Sequence, residues 1–550
     1  TPLYSSAASD VYKRQHLFIK KEDFLNFGFV IDNRNCIGCH ACTVACKSEN
    51  DVPIGVNRTW VKYIEKGKFP HTKRFFSVMR CNHCEDAPCT TICPTSALYK
   101  RPDGIVDFNN ERCIACKSCT QACPYDAIYI DPETHTAAKC NYCAHRVDVG
   151  LKPACVNVCP TEAIVAGDLD DPVSKISQLV AGNQVTVRKP EKGTIPNVFY
   201  IESDSASLVP TETSISPRYM WNSQVSGVGH HAGHSGSKSF DFDREKTFNL
   251  PKVSKIDKDI KQTARRVYDA PNKGILWGWE VAGYIFTKAI AAGILAFPFL
   301  FQLTGLVKVA DSVLFTVAIL SLLFLGLTGI FLIKDLDQPK RFLYVLLRPH
   351  WTSWLVKGGY TITAFGGLVT LWCVLTYFDF PTIADLIVWP ILILSVLLAI
   401  YTAFLFGQAK GRDFWQSPLL SFHMLLHSVV GGSSALLATS MFWSAMMPLM
   451  PLLKEILFWS LLIQLLSFAA EFLSSHPTED AKKTAHMITH GTFRKSFWGG
   501  VVLLGNVIPL LLLIGNSELL VVFVASVMVL IGVWLSVRIW VLAPQMVSLS

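Results

Sequence analysis

Sixteen of the seventeen cysteines fall between Cys36 and Cys159, and their spacing is regular. Cys36, Cys39, Cys42 and Cys46 read C-x2-C-x2-C-x3-C, and Cys113, Cys116, Cys119 and Cys123 repeat that spacing before Pro124. Cys81, Cys84, Cys89 and Cys93 read C-x2-C-x4-C-x3-C before Pro94. Cys140, Cys143, Cys155 and Cys159 read C-x2-C-x11-C-x3-C before Pro160. In such a run three closely spaced thiolates wrap one face of a cubane, and the fourth starts a helix and points at a different cluster. Soft thiolates are the ligands that iron–sulfur cores need. The spacing predicts four [4Fe–4S] clusters on these sixteen cysteines.

Three other uses of cysteine fit less well. Paired CxxC motifs can hold zinc, but a zinc site takes four ligands and has no use for a three-plus-one run with a following proline. Cys36-Ile-Gly-Cys39-His40 matches the haem-attachment string CxxCH, yet a covalent haem there would consume two cluster ligands. Four repeats of one spacing are hard to explain as disulfides. Cys373 stands alone in an apolar run and reads as a small core residue.

From Cys36 to Pro160 the chain resembles the four-cluster subunits of molybdopterin oxidoreductases of the dimethyl sulfoxide and polysulfide reductase type. The matching features are the order of the runs, the wide gap in the fourth, the Cys46-Lys47 ending of the first, and Cys123-Pro124-Tyr125-Asp126 in the third. The resemblance implies two ferredoxin-like α+β units in which the first run pairs with the fourth and the second with the third. One cluster would then take Cys36, Cys39, Cys42 and Cys159, and its neighbour Cys140, Cys143, Cys155 and Cys46. A third would take Cys81, Cys84, Cys89 and Cys123, and the last Cys113, Cys116, Cys119 and Cys93. It also implies a molybdopterin-containing catalytic subunit as partner.

The elements that must hold these cysteines occupy residues 16–203, with Asp170 or Asp171 expected to cap a short helix before Leu179. Residues 1–15 (TPLYSSAASDVYKRQ) resemble translated sequencing adapter and are set apart from the fold. Residues 204–272, rich in Ser, Gly and Lys, read as a linker, and His230, His231 and His234 as part of its solvated stretch.

Residues 273–550 carry apolar runs of about 20 residues, the length that spans a bilayer. They lie at roughly Leu276–Gly305, Val313–Ile333, Trp354–Tyr377, Ala384–Phe406, Pro418–Phe442, Ile456–Phe472, Phe497–Ile514 and Leu519–Val537. The fold class expected is an α+β ferredoxin-like four-cluster domain followed by an all-α membrane bundle of about eight transmembrane helices. Trp277–Gly293 (WGWEVAGYIFTKAIAAG) and Asp335–Gly358 (DLDQPKRFLYVLLRPHWTSWLVKG) resemble the NrfD/polysulfide-reductase membrane anchors, which exchange electrons with quinone. No haem is expected, because His423 and His427, the only histidines well inside an apolar run, share one helix.

Ionisable groups inside a membrane are costly and mark functional cavities. Glu280, His423 and His427 are therefore the candidate quinone and proton residues, with Lys357 and Glu471 expected in the same leaflet. Lys288, deeper in the first helix beyond Tyr284, would extend a proton path or pair with a buried acid.

The formal net charge of +8 comes without a basic patch interleaved with aromatics, so nucleic acid is not the partner expected. The cations crowd the loops on one side of the bundle: Lys340, Arg341 and Arg348, then Lys410 and Arg412, then Lys482, Lys483, Arg494 and Lys495. Lys308 and Lys454 stand opposite. By the positive-inside rule the cluster domain faces the cytoplasm from a multi-pass place in the inner membrane. The function expected is electron transfer between the molybdopterin subunit and the quinone pool. The alternative is an electron-transfer and proton-coupling module of a complex resembling alternative complex III.

Overall fold

The computed structural model describes residues 25–68, 70–215, 264–270, 273–515 and 518–550. The adapter-like segment and His230, His231 and His234 lie outside them.

The N-terminal half is α+β, as its cysteine runs imply. Phe27–Asp32 forms the middle of one sheet, antiparallel to Ile164–Asp168 and parallel to Val198–Ile201, with Val185–Thr186 at the far edge. A long hairpin, Thr59–Lys68 with His71–Arg80, builds the second sheet. In each run the third and fourth cysteines are four residues apart across a short helix: Ala41–Glu49, Pro88–Ile92, Ser118–Ala122 and Ala154–Asn157. One helical turn separates such residues, so each helix hands one thiol to each of two neighbouring sites.

Two local expectations differ from the structure. The helix before Asn183, Lys175–Gly182, is capped by Ser174, whose hydroxyl accepts from the Ser177 N–H, and not by Asp170 or Asp171. The serine's one O–H can also donate, with the Asp168 and Asp171 carbonyls both in reach, a use that a carboxylate lacks. The segment read as a linker is folded at both ends. Ser214–Ile215 and Arg265–Tyr268 extend the hairpin sheet, with Arg265 opposite Glu65. Backbone pairing at an open sheet edge outweighs the weak periodicity of these residues.

Eight helices are long and apolar enough to cross a membrane. They are α1 (Trp279–Thr304), α2 (Asp311–Lys334), α3 (Trp354–Tyr377), α4 (Pro381–Gln408), α5 (Leu420–Ser440), α6 (Ser444–Leu473), α7 (Ser496–Leu513) and α8 (Leu519–Met546). Helices α1 and α5 are the most enclosed, each with 78% of its apolar window buried. They cross at Gly293 and Gly432, where a Cβ on either residue would overlap the other helix's backbone. Small residues let membrane helices approach so closely. The first twelve residues of α7, Ser496–Val507, are π-helical. The loops between α2 and α3, α4 and α5, and α6 and α7 all meet the cluster domain, as does the C-terminal tail. The two halves share one continuous core.

Candidate electron-transfer and quinone site

The backbone prepares the cysteine loops in the same way four times. Gly38, His83, Ala115 and Tyr142 each stand two residues after the first cysteine of a run, and all have positive φ (71°, 41°, 55° and 63°). Three of these are not glycine, so the conformation is held at a cost. A left-handed residue there turns successive N–H groups toward an enclosed anion. The Ala115 N–H, for example, points at the Cys113 sulfur from 3.4 Å.

The thiols gather in four sets. Cys36, Cys39, Cys42 and Cys159 line one cavity. Cys46, Cys140, Cys143 and Cys155 line another. Burial raises the Cys84 and Cys89 thiols, and the neighbouring Cys81 and Cys123 raise them further; Cys116 and Cys119 are raised in the same way by burial and then by the neighbouring Cys93 and Cys113. Burial pushes the Cys42, Cys46 and Cys116 thiols up to about 12. Such thiols ionise only against strong positive charge, which iron supplies. Among the described residues no three His, Cys, Asp or Glu side chains close on a point that could hold a single metal ion. Rings of sulfur around a cavity suit a cluster, so these residues fit iron–sulfur cores.

The set nearest the membrane bundle is Cys93, Cys113, Cys116 and Cys119. The Trp277 indole donates to the Cys116 carbonyl at 3.0 Å, and Arg341 donates to the Cys113 carbonyl at 2.9 Å. His350 Nδ1 lies 2.9 Å from the Cys93 carbonyl. Lys117, between Cys116 and Ser118, donates to the Asp335 carbonyl at 2.7 Å and pairs with Asp337 at 3.3 Å. Gly411 approaches so closely that a Cβ would overlap the carbonyls of Gln121 and Cys123. Trp277, Phe406 and Trp415 stack beneath this set, with Phe406 and Trp415 centroids 4.5 Å apart. The stack keeps water from the sulfurs on the membrane side.

The polar groups of the bundle fall into separate groups. His423 and His427, 2% and 3% exposed, sit one turn apart on α5. His423 Nδ1 lies 3.4 Å from the Ser467 hydroxyl, and its Nε2 lies 3.6 Å from Glu471, which also accepts from Ser417 at 2.8 Å. His427 Nε2 lies 3.4 Å from the Ser536 hydroxyl. Among the described residues His423 Nε2 and His427 Nδ1 have no hydrogen-bond partner. Phe468 and Trp540 flank the His423 ring.

Glu280 lies elsewhere. It faces Lys334 of α2 at 4.0 Å, on the side where Asp335 meets Lys117. The single pocket expected from Glu280 and the two histidines is therefore divided between α1/α2 and α5/α6/α8. Chain connectivity explains this, because neighbouring helices claim Glu280 at its first turn. Lys357 lies 4.5 Å from the Trp354 ring centroid at the start of α3, an interfacial arrangement. Lys288 is fully buried and donates to the Leu398 and Ala399 carbonyls of α4 at 3.0 Å each, over the Tyr401 ring. Among the described residues backbone carbonyls, and not an acid, are its partners. Cys373 is a buried residue of α3.

Sequence reasoning missed the docking residues Trp277, Lys117, Asp335, Asp337 and His350. A signal was available: four of these five fall in the two stretches that carry the anchor resemblance. Asp335 and Asp337 read as loop acids, and only the fold sets them against a lysine between two cluster cysteines.

Comparison with known proteins agrees with both halves. Residues 35–98 and 72–169 each match a 4Fe-4S dicluster domain, and residues 269–549 match the polysulphide reductase NrfD family. The protein is 38% identical over 229 residues to the arsenate respiratory reductase iron-sulfur protein ArrB of a Shewanella species, covering 32% of the present sequence and 97% of ArrB. Protein NrfC of Escherichia coli is 42% identical over 180 residues, 32% of the present sequence and 81% of NrfC. The thiosulfate reductase electron transfer protein PhsB of Salmonella typhi is 45% identical over 157 residues, covering 28% and 81% respectively. Sixteen cysteines in four sets, eight membrane helices and a match across more than half of the chain lead to one assignment: this protein belongs to the polysulphide reductase NrfD family, with 4Fe-4S dicluster domains fused ahead of its membrane bundle.

Proposed function

We propose that this protein is the electron-transfer and membrane-anchor subunit that links a molybdopterin-containing catalytic subunit to the quinone pool through four [4Fe–4S] clusters. When bound, the clusters supply a series of one-electron carriers. The sixteen cysteines hold them in the four sets that line the cavities and neighbour one another. The set of Cys36, Cys39, Cys42 and Cys159 lies farthest along the series from the bundle and faces the catalytic partner. The set of Cys93, Cys113, Cys116 and Cys119 faces the membrane.

Quinone chemistry belongs to α5 and its neighbours. The observation that carries it is the pair of buried imidazole nitrogens, His423 Nε2 and His427 Nδ1, which make no hydrogen bond among the described residues, His423 Nε2 having the Glu471 carboxylate no nearer than 3.6 Å. A buried polar atom without a partner costs about 1–3 kcal/mol, and a quinone oxygen would satisfy it. Glu471, held by Ser417, is placed to pass a proton to or from His423. Glu280 exchanges protons beside Lys334 and Asp335 on the cluster side of α1.

The test is quinol-driven reduction of the clusters in the purified protein, followed optically and by EPR. His427→Ala and Glu280→Gln should slow it at least tenfold while iron content and all four cluster signals remain. Unchanged quinol kinetics in both variants rules out this quinone site. Iron near zero in the native protein rules out the cluster reading itself.

A further inference from the structure

Arg80 ends the hairpin strand His71–Arg80, immediately before Cys81, and is 0% exposed. Its Nη1 donates to the Cys155 sulfur at 3.3 Å, and its guanidinium lies 4.2 Å from the Phe29 ring centroid. Cys140 and Cys42 are also near enough to act on its charge. Cys155 and Cys140 line one cavity and Cys42 lines the other. The guanidinium therefore stands at the boundary of the two sets farthest from the membrane.

Two features make this cation unusual. Among the described residues no carboxylate pairs with it. Among the same residues its Nε and Nη2, both buried, find no hydrogen-bond partner. A buried guanidinium cannot shed its proton, and leaving it uncompensated is strongly destabilising. The other cations close to cluster cysteines differ. Lys117 is matched by Asp335 and Asp337, and Arg58 spends its donors on Asn50 and Tyr129. Among the described residues Arg80 has the Phe29 ring face and cysteine sulfur to answer its charge, and no carboxylate.

We propose that Arg80 is a positioning residue that sets the reduction potentials of the two clusters farthest from the membrane, raising both and acting most on the one held by Cys46, Cys140, Cys143 and Cys155. The inference rests on the four-cluster reading. Each cluster takes one electron from its neighbour, with no proton and no bond broken, and so gains one negative charge. A fixed cation at its edge, in a dry interior, favours that reduced state. The Nη1 contact reaches a ligand of one cluster only, which is why the effect is unequal. Electrons leaving the membrane-side clusters then come to rest beside the distal pair.

The experiment is an EPR-monitored redox titration of the full-length protein in native membranes, with iron content measured alongside. In Arg80→Gln, which removes the charge and keeps a donor, the Cys46-set cluster should be at least tenfold harder to reduce. For a one-electron couple that is about 59 mV more negative. The Cys36-set cluster should move the same way by less, and the other two should hold. Unchanged potentials, or shifts confined to the membrane-side clusters, would overturn the proposal. If Arg80→Gln loses clusters, Arg80→Met decides. It too removes the charge while keeping an unbranched side chain, so a negative shift in the same two clusters supports the proposal and unchanged potentials overturn it. Absence of iron from the native protein would strike the four-cluster reading instead, so the two failures are distinguishable.

Discussion

Burial lifts the Asp335 carboxyl from 3.8 to about 7, against the pull of Lys117. The folded chain thus keeps a proton that the unfolded chain has already lost across that window. Stability from this group is full below the unfolded pKa and is lost as pH rises toward about 7, on the order of a few kcal/mol. Asp335→Asn should flatten the pH dependence of thermal unfolding of the protein in detergent over that range, and an equal slope in both proteins would refute the assignment. Cys116 makes a second residue-scale prediction, because its carbonyl carries the Trp277 contact and its thiol belongs to the membrane-side set. Cys116→Ser should lose or convert one cluster in EPR, leave the other three, and cut quinol-driven reduction of those three at least tenfold. Loss of all four signals would mean that the sets do not fold independently. Residues of this kind were legible to unequal degrees. The cysteines announce themselves by spacing, since ligand chemistry admits few alternatives. Arg80 gave no sign, because an arginine at a strand end ordinarily faces water and only the packing of Phe29 and Cys155 around it shows otherwise.

Membrane helices were legible as elements because twenty apolar residues have no other stable home. Their ends were less so. Helix α6 begins at Ser444, well before the expected Ile456, since Lys454 and Glu455 interrupt the apolar run without breaking the helix. Helix α7 matched in extent but winds as a π-helix through Val507, a choice of hydrogen-bond register that apolar composition does not encode. The ends of the 204–272 segment were hidden for the opposite reason. Short edge strands such as Arg265–Tyr268 take their order from a neighbour and carry little pattern of their own. The α4–α5 connection is similar, since Gly411 reads as an ordinary loop glycine until Gln121 and Cys123 are seen against it. Gly411→Leu should force that loop off the cluster domain at about 1–3 kcal/mol, the usual cost of overpacking. Expected is a protein with its full iron content and slowed quinol-driven cluster reduction. Native rates in this variant would show that the loop does not govern docking.

With eight spans the cluster domain, the three loops between α2/α3, α4/α5 and α6/α7, and the C-terminal tail share one side, and the contacts across the bundle place them together. Several cations in those loops are already engaged. Arg341 binds the Cys113 carbonyl, Arg412 binds Gln121, and Lys483 binds the Thr211 carbonyl. They serve docking as well as orientation. Lys340, Lys410, Arg494 and Lys495 remain as loop charges on that side, against Lys308 and Lys454 on the other. Positive charge flanking the spans favours the cytoplasmic side, so the cluster domain is expected inside. Lys308 offers a direct test because it is exposed in the α1–α2 loop, away from the cluster domain, and Cys373 is buried in α3. In Lys308→Cys, a membrane-impermeant maleimide should label intact cells or spheroplasts, while a cysteine introduced at Lys340 should be labelled only after permeabilisation. The reverse pattern would put the clusters and the catalytic partner outside. The electrons exchanged with quinone would then meet their substrate across the membrane from the place proposed here.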